Sequence, residues 1–209
     1  MPQQPFATVS GLAAAMREEN IDTDIIFPAR FLLITARAGL GDYAFHDRRF
    51  DASGVEVPGY VLNAAPFRDA PVIVAGANFG SGSSREQAVW ALMGRGTRAV
   101  ISSSFGEIFY SNCLRNGVVP VLLPEADVSP LMDAAESGAT FTVDLEAQEL
   151  RIEGQPLYSF EVPPERRMAM LKGWDETDQI VNQYGADIDA FEQRQRSAQP
   201  WLYQEEPNR

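Results

Sequence analysis

The run Asn78-Phe79-Gly80-Ser81-Gly82-Ser83-Ser84-Arg85-Glu86 holds the residues best suited to chemistry. It sets hydroxyls beside a guanidinium where an apolar stretch, Pro71-Val72-Ile73-Val74-Ala75, gives way to a helical pattern. Gly80, Ser81 and Gly82 are small enough to let the backbone approach a ligand closely. Ser83, followed three residues later by Glu86, reads as a capping box that opens the next helix. The free N–H groups and the positive end of the helix dipole would then face the loop, which is an environment for an anion. Arg85 could grip a carboxylate with two parallel bonds. The same residues also describe a well-capped helix with Ser83 and Ser84 facing solvent. A nucleotide site fits less well, because the phosphate-loop lysine is missing and the spacing departs from the dinucleotide fingerprint.

A second cluster, Asn20, Asp22 and Asp24, has the spacing that begins a calcium loop. Such a loop needs glycine at its sixth position and glutamate at its twelfth, and these are Ile25 and Phe31 here. The alternation instead places Asp22 and Asp24 on one face of an extended segment, or in a solvated turn. Arg30, Arg37, Arg48 and Arg49 concentrate cations in an otherwise acidic chain, although each alone is commonly an ion-pair partner. Phe31, Leu32 and Leu33 are either core or an apolar wall for a ligand. His46, the single histidine, reads as a surface or rim residue, and Cys113, the single cysteine, as packing inside an amphipathic helix.

These residues need a frame. Pro71 to Ala75 is a continuous β-branched run, typical of a strand buried on both faces. Arg98-Ala99-Val100-Ile101 follows as a second strand, and Val118 to Leu123 as a third, weakened by Pro120. Between the last two, Ser104 and Glu107 suggest a capping box and Gly117 a helix stop. Strand, helix, strand, helix, strand implies a parallel sheet. Ser129-Pro130 suggests the start of a short helix, and Thr140 to Asp144 with Glu149 to Ile152 a hairpin across Glu146 to Gln148. A further strand is expected over Tyr158 to Val162. From Asp175 the chain is polar and helical in period, with Gly185 as a break and Gln199-Pro200-Trp201 as an aromatic end that docks.

With 209 residues, 45% of them hydrophobic and 22% charged, the chain can build one sizeable core. A net charge of -12 with no basic patch argues against nucleic acid or an anionic membrane surface as partner. No apolar stretch is long enough to span a bilayer, and Met1-Pro2-Gln3-Gln4-Pro5 lacks the regions of a signal peptide, so a cytoplasmic location is expected. One cysteine allows neither an internal disulfide nor a cluster held by several thiolates of this chain.

The wording GSGSSREQA, followed by SSFGEIFYSNCLRNGVVPV, resembles the swivelling domain of the aconitase superfamily. Asn20 to Ile26, Pro28-Ala29-Arg30-Phe31-Leu32, Arg37-Ala38-Gly39-Leu40-Gly41 and Asp144 to Gln148 narrow the likeness to the small subunit of bacterial 3-isopropylmalate dehydratase, over residues 5 to 172. The resemblance implies an α/β fold: a three-layer β/β/α swivelling domain with a central parallel sheet and a smaller antiparallel sheet. It implies a swivelling domain over 1–172 and a polar helical C-terminal extension, 173–209, packed on it.

It further implies a hydro-lyase that interconverts 2- and 3-isopropylmalate by dehydration and rehydration, a step of leucine biosynthesis, and that is active only with a large subunit. In the family pattern Ser83 is the base and Asp24 a second catalytic group. Arg85, Ser84, Arg37, Asp22 and Thr23 would bind the hydroxy dicarboxylate, and Phe31, Leu32 and Leu33 would meet its alkyl group. A 4Fe-4S cluster, the Lewis acid for the departing hydroxide, would be held by the large subunit, with no metal bound by this chain alone.

Three departures stand out. Most relatives carry cysteine where Ser81 stands and histidine where Gln87 stands, and Trp174 to Ile180 replaces the family's usual ending. A sister dehydratase acting on another diacid such as citramalate, a stand-alone carboxylate-binding module and a purely structural subunit are the competing readings.

Overall fold

The computed structural model describes residues 5–203, so the first four residues and the last six of the C-terminal extension lie outside the described residues. Seven strands form the sheet: β1 (Thr8–Met16), β2 (Val72–Ala75), β3 (Ala99–Ser102), β4 (Val119–Leu122), β5 (Thr140–Asp144), β6 (Glu149–Ile152) and β7 (Tyr158–Ser159). Their order across the sheet is β4-β3-β2-β1-β5-β6-β7. Both expected sheets are present, and β1 belongs to both. Its second half, Ala13 to Met16, pairs in parallel with β2, while its first half, Thr8 to Leu12, pairs antiparallel with β5. Thr8 to Met16 carries no strand pattern: the Ala-rich run has helical propensity, and pairing on both edges overrides it.

Every residue of β2 and β3 is buried, which explains their continuous apolar runs. The two-residue period distributes the side chains between two cores. Val72, Val74 and Ile101 join Phe141, Val143 and Leu150 from the antiparallel half, together with Leu131 and Met132 of helix α5 (Glu125–Glu136). Ile73, Ala75 and Val100 face the other way. They meet Val89 and Leu92 of α3 (Glu86–Gly94) and Phe109 and Cys113 of α4 (Glu107–Asn116). Phe27 and Phe45, flanking the one-turn helices α1 (Thr23–Ile26) and α2 (His46–Arg49), complete that second core. Cys113 is thus a packing residue, fully buried, with its thiol pushed well up by desolvation.

Pro120 is tolerated because β4 is the outer strand of the parallel half. Gly117 ends α4 in the left-handed region, at φ 85°. The hairpin turns where expected, with Gln148 also at positive φ.

Elsewhere the structure departs from local sequence signals. Pro130 lies inside α5, which starts at Glu125; the backbone bond Pro130 cannot donate would go to the carbonyl of Ala126, an exposed residue that water can serve. Ser104 and Glu107 form no capping box: Gly106 precedes α4, and Ser104 Oγ accepts from Asn78 N–H at 2.8 Å instead. The strand after the hairpin is short, spanning Tyr158–Ser159 and not reaching Val162.

Helix α6 (Pro164–Lys172) leads to α7 (Glu176–Ala198), which runs straight through Gly185. A real capping box between Asp175 and Asp178 starts α7, and one glycine costs a helix only about 1 kcal/mol. No residue of α7 is buried. The aromatic end folds onto α7 itself through Tyr203, which donates to Gln195 and lies under Arg196, whereas Trp201 is exposed. A Cβ at Gly185 meets nothing within 4 Å. Gly185→Ala is therefore expected to strengthen α7 by about 0.5–1 kcal/mol, visible as greater helical ellipticity and slower amide exchange across residues 180–190.

Candidate active site

The loop after β2 sits at the carboxyl ends of parallel strands, where ligands bind in open α/β sheets. It is laced to two neighbouring segments through main-chain hydrogen bonds. On one side Asn20 N–H donates to Ala77 O at 2.8 Å, Gly80 N–H to Ile21 O at 2.7 Å and Thr23 N–H to Ser81 O at 2.9 Å. On the other, Phe79 N–H donates to Ser104 O at 3.1 Å and Gly106 N–H to Phe79 O at 2.9 Å. Gly80, Ser81 and Gly82 lie in this loop. Gly80 has φ 72° and crosses the Phe109 ring so closely that a Cβ would lie 2.1 Å from Cγ. Gly82, at φ 88°, turns the chain toward Ser83.

Ser83 is not the helix cap. Arg85 occupies that position, and no side chain caps α3. The reason is tertiary: Thr23, buried, donates its hydroxyl to Ser83 O at 2.8 Å and holds Ser83 outside the helix. The hydroxyls of Ser83 and Ser84 are exposed and make no hydrogen bond among the described residues, and the first turn of α3 keeps its N–H groups free of side-chain oxygens. These are the elements of an anion site, reached without the capping box.

Asp22 and Asp24 lie in a helical turn, where the alternation had suggested an extended segment. Asp22 caps α1, accepting from the N–H groups of Asp24 at 2.9 Å and Ile25 at 2.8 Å. Asp24 accepts from Ala29 N–H at 2.7 Å and is ion-paired with Arg85. The Ala29 bond first, and the Arg85 guanidinium second, hold its carboxyl below the usual range. Arg85, with a side chain only 15% exposed, also reaches toward Phe27 O at 3.5 Å, so its orientation is fixed from both partners.

The other cations separate. Arg30 pairs with Asp47, Arg48 with Glu18, and buried Arg49 donates to Asn63 Oδ1 and to the Asp42 and Ala44 carbonyls. Neither Arg37 nor Arg49 has a carboxylate partner among the described residues; the Arg37 guanidinium lies 4.1 Å from the Trp90 ring centroid. Arg37 is beside α3 but not within the Asp24–Arg85 contact. Phe31 packs with Phe27, Tyr43 and His46, Leu32 is half-buried and Leu33 is 91% exposed. His46 is a rim residue whose Nδ1 lies near Arg30 and Asp47.

Two polar links had no assigned role from sequence. Asn78 and Asn20, both at positive φ, are joined by a 2.8 Å side-chain bond across the loop junction. Asn116 ties α3 to α4 by donating to Glu86 at 2.7 Å and accepting from Trp90 Nε1 at 2.9 Å. A non-glycine residue with sequence-neighbouring turn chemistry is the only signal that could have marked Asn20 and Asn78.

Comparison with known proteins supplies the family. A model of the aconitase C-terminal domain matches residues 3–126, and a model of the C-terminal domain of the 3-isopropylmalate dehydratase small subunit matches residues 183–205. The 3-isopropylmalate dehydratase small subunit of Rhodospirillum centenum is 48% identical over 200 residues, covering 95% of this chain and 98% of its own. The chain belongs to the 3-isopropylmalate dehydratase small-subunit family. The small subunit of Parvibaculum lavamentivorans is 46% identical, over 94% of this chain and 98% of its own. A crystal structure of 3-isopropylmalate dehydratase from Methanocaldococcus jannaschii superposes with a TM-score of 0.64 at 27% identity, covering 88% of this chain and 99% of that one. An aconitase-type family suggests an iron–sulfur cluster, but this chain's residues do not fit one. Cys113 is its single cysteine and is sealed in the core, and no group of three or more His, Cys, Asp and Glu is placed for a metal among the described residues. No helix of the described residues is long and apolar enough to cross a membrane.

Gly80→Ala is expected to cost about 1–3 kcal/mol in urea denaturation, since it adds both strain at positive φ and a clash with Phe109. Asp24 has a depressed folded-state pKa, so its stabilisation is complete above the ordinary value of 3.8 and fades as pH falls through the lower folded value. Asp24→Asn should therefore melt below the parent protein at neutral pH, with the gap closing in acid and unchanged toward alkaline pH.

Proposed function

We propose that this chain is the small subunit of a heteromeric hydro-lyase that interconverts 2- and 3-isopropylmalate by dehydration and rehydration, working in the cytoplasm in leucine biosynthesis. The observation that carries the reading is the pair of unpartnered hydroxyls, Ser83 and Ser84, at the uncapped start of α3 beside a guanidinium held in place by Asp24.

In this reading one substrate carboxylate lies against the first N–H groups of α3 and Arg85. Removing a proton next to a carboxylate builds negative charge, and these donors bind that charge more tightly as it grows. Ser83 takes the proton. Its hydroxyl ionises far above neutral pH, so it acts as an alkoxide stabilised by the helix terminus and Arg85 in a site from which water is excluded. Asp24, held ionised, keeps Arg85 aimed at the substrate, while Asp22 and Thr23 hold the backbone that carries Asp24 and Ser83. Ser84 is a further donor, and Arg37 takes the second carboxylate when its segment turns from Trp90 toward the loop.

Phe31, Leu32 and Leu33 receive the isopropyl group, where burial is worth about 0.8 kcal/mol per methylene. Leu33 is 91% exposed among the described residues, and the partner subunit supplies the cover. The 4Fe-4S cluster belongs to that large subunit, consistent with the single buried Cys113 here.

The test is co-expression with the large subunit under anaerobic conditions, rebuilding of the cluster, and assay with isopropylmalate and citramalate. Isopropylmalate should turn over, Ser83→Ala should lower kcat by about 10²–10⁴-fold, and Arg85→Lys should lower kcat and raise KM together. Turnover of citramalate alone, or full activity in Ser83→Ala, would sink the proposal.

A further inference from the structure

A cleft of about 580 Å³ opens between α3, α4, α6 and the start of α7, a size suited to a small organic ligand. Arg37, Arg98, Arg115 and Arg166 all line it, in a chain with 17 basic and 29 acidic residues. The carboxylates on its wall are already engaged. Glu86 accepts from Asn116 at 2.7 Å, Asp175 from the N–H of Asp178 at 2.9 Å, and Glu176 pairs with Arg115 at 2.9 Å.

Arg98 and Arg166 have no carboxylate partner among the described residues. Arg98 is partly buried, with its guanidinium 5.4 Å from the Phe6 ring centroid, and desolvation alone lowers its pKa. A cation withdrawn from water with no counter-charge is a standing cost to the fold, and an anion bound beside it would remove that cost. Met93, Leu114 and Ala169 give the same cleft an apolar wall, with Trp174 at its edge.

We propose that this cleft is a second anion site, built for a small dicarboxylate with an apolar body: its carboxylates on Arg98 and Arg166, its hydrocarbon along Met93 and Leu114. The site goes beyond the reaction proposed above: Arg37 lies on its wall, but its two anchoring cations are Arg98 and Arg166 and it uses neither Ser83 nor Arg85.

Titration calorimetry on the full chain with 3,3-dimethylglutarate, and separately with inorganic phosphate, tests it. Dimethylglutarate should bind saturably at one site, with affinity reduced about tenfold or more in both Arg98→Gln and Arg166→Gln, and unchanged in Ser83→Ala. Phosphate, which shares the charge but not the hydrocarbon, should bind more weakly. Without ligand, Arg98→Gln should melt no lower than the parent chain, since it removes an uncompensated charge. Absence of saturable binding overturns the proposal, as does loss in Ser83→Ala with retention in Arg98→Gln, or phosphate binding that equals dimethylglutarate. Should Arg98→Gln fail to fold, the partly exposed Arg166→Gln decides alone.

Discussion

The candidate site depends on one constraint: the 77–82 loop is held by backbone hydrogen bonds to two other segments, 20–23 and 104–106, that are distant in sequence. Side chains could not do this as well, because main-chain bonds fix the path of the loop irrespective of rotamer. Every later feature follows from that lacing. The close passage over Phe109 demands glycine at position 80, and the Thr23 hydroxyl, delivered by the same junction, grips Ser83 O and draws Ser83 off the helix axis. Had Ser83 capped α3, its hydroxyl would be spent on a backbone N–H and the helix terminus would be closed to ligands.

Asp24 and Arg85 illustrate how the two halves of the junction complete each other. Asp24 follows directly on the first segment and Arg85 on the laced loop, and their ion pair spans the seam. Much of the pair is solvent-facing on the Asp24 side, so its worth lies less in stability than in aim. Pinned by Ala29 N–H, the carboxylate cannot follow Arg85 if it swings, and so the guanidinium keeps one direction. A site made from segments this far apart in sequence forms only when the whole parallel half has folded.

The parallel half was legible because β2, β3 and β4 are short apolar runs punctuated by glycine and separated by amphipathic helices, a pattern that buried parallel strands cannot hide. Gly82 was legible because its positive φ is a local demand of the turn, whereas the need for glycine at position 80 comes from Phe109 and the aim of Arg85 from Asp24, both remote in sequence. What sequence could not show is set by long-range competition. Thr8 to Met16 becomes the strand shared by both halves only because β2 and β5 wait on its two sides. Ser83 and Ser104 both precede a glutamate at capping distance, and both are diverted by partners remote in sequence, Thr23 and Asn78. Gly185 fails as a break and Pro130 as a helix start because each removes only one helical contribution, and α7 and α5 run through them. The position of Arg37 over Trp90 likewise follows from a cation–π contact that no spacing encodes.

The arrangement is also one-sided. The uncapped start of α3, the Ser83 and Ser84 hydroxyls and the Arg85 guanidinium follow one another along a single loop, while Leu33 is almost wholly exposed to solvent. A proton abstraction that relies on a serine alkoxide requires water to be kept out, and an open loop surface cannot exclude it alone. The chemistry proposed for this surface therefore calls for a second body to close over it, and an exposed leucine at the rim is what such a closing surface would bury. On the proposed reading the fold would act as one jaw, presetting the charges and hydroxyls with rigid backbone bonds and leaving desolvation to the partner. On that proposed division the single cysteine can be sealed in the core without loss, because the contribution proposed for this chain is geometric and electrostatic.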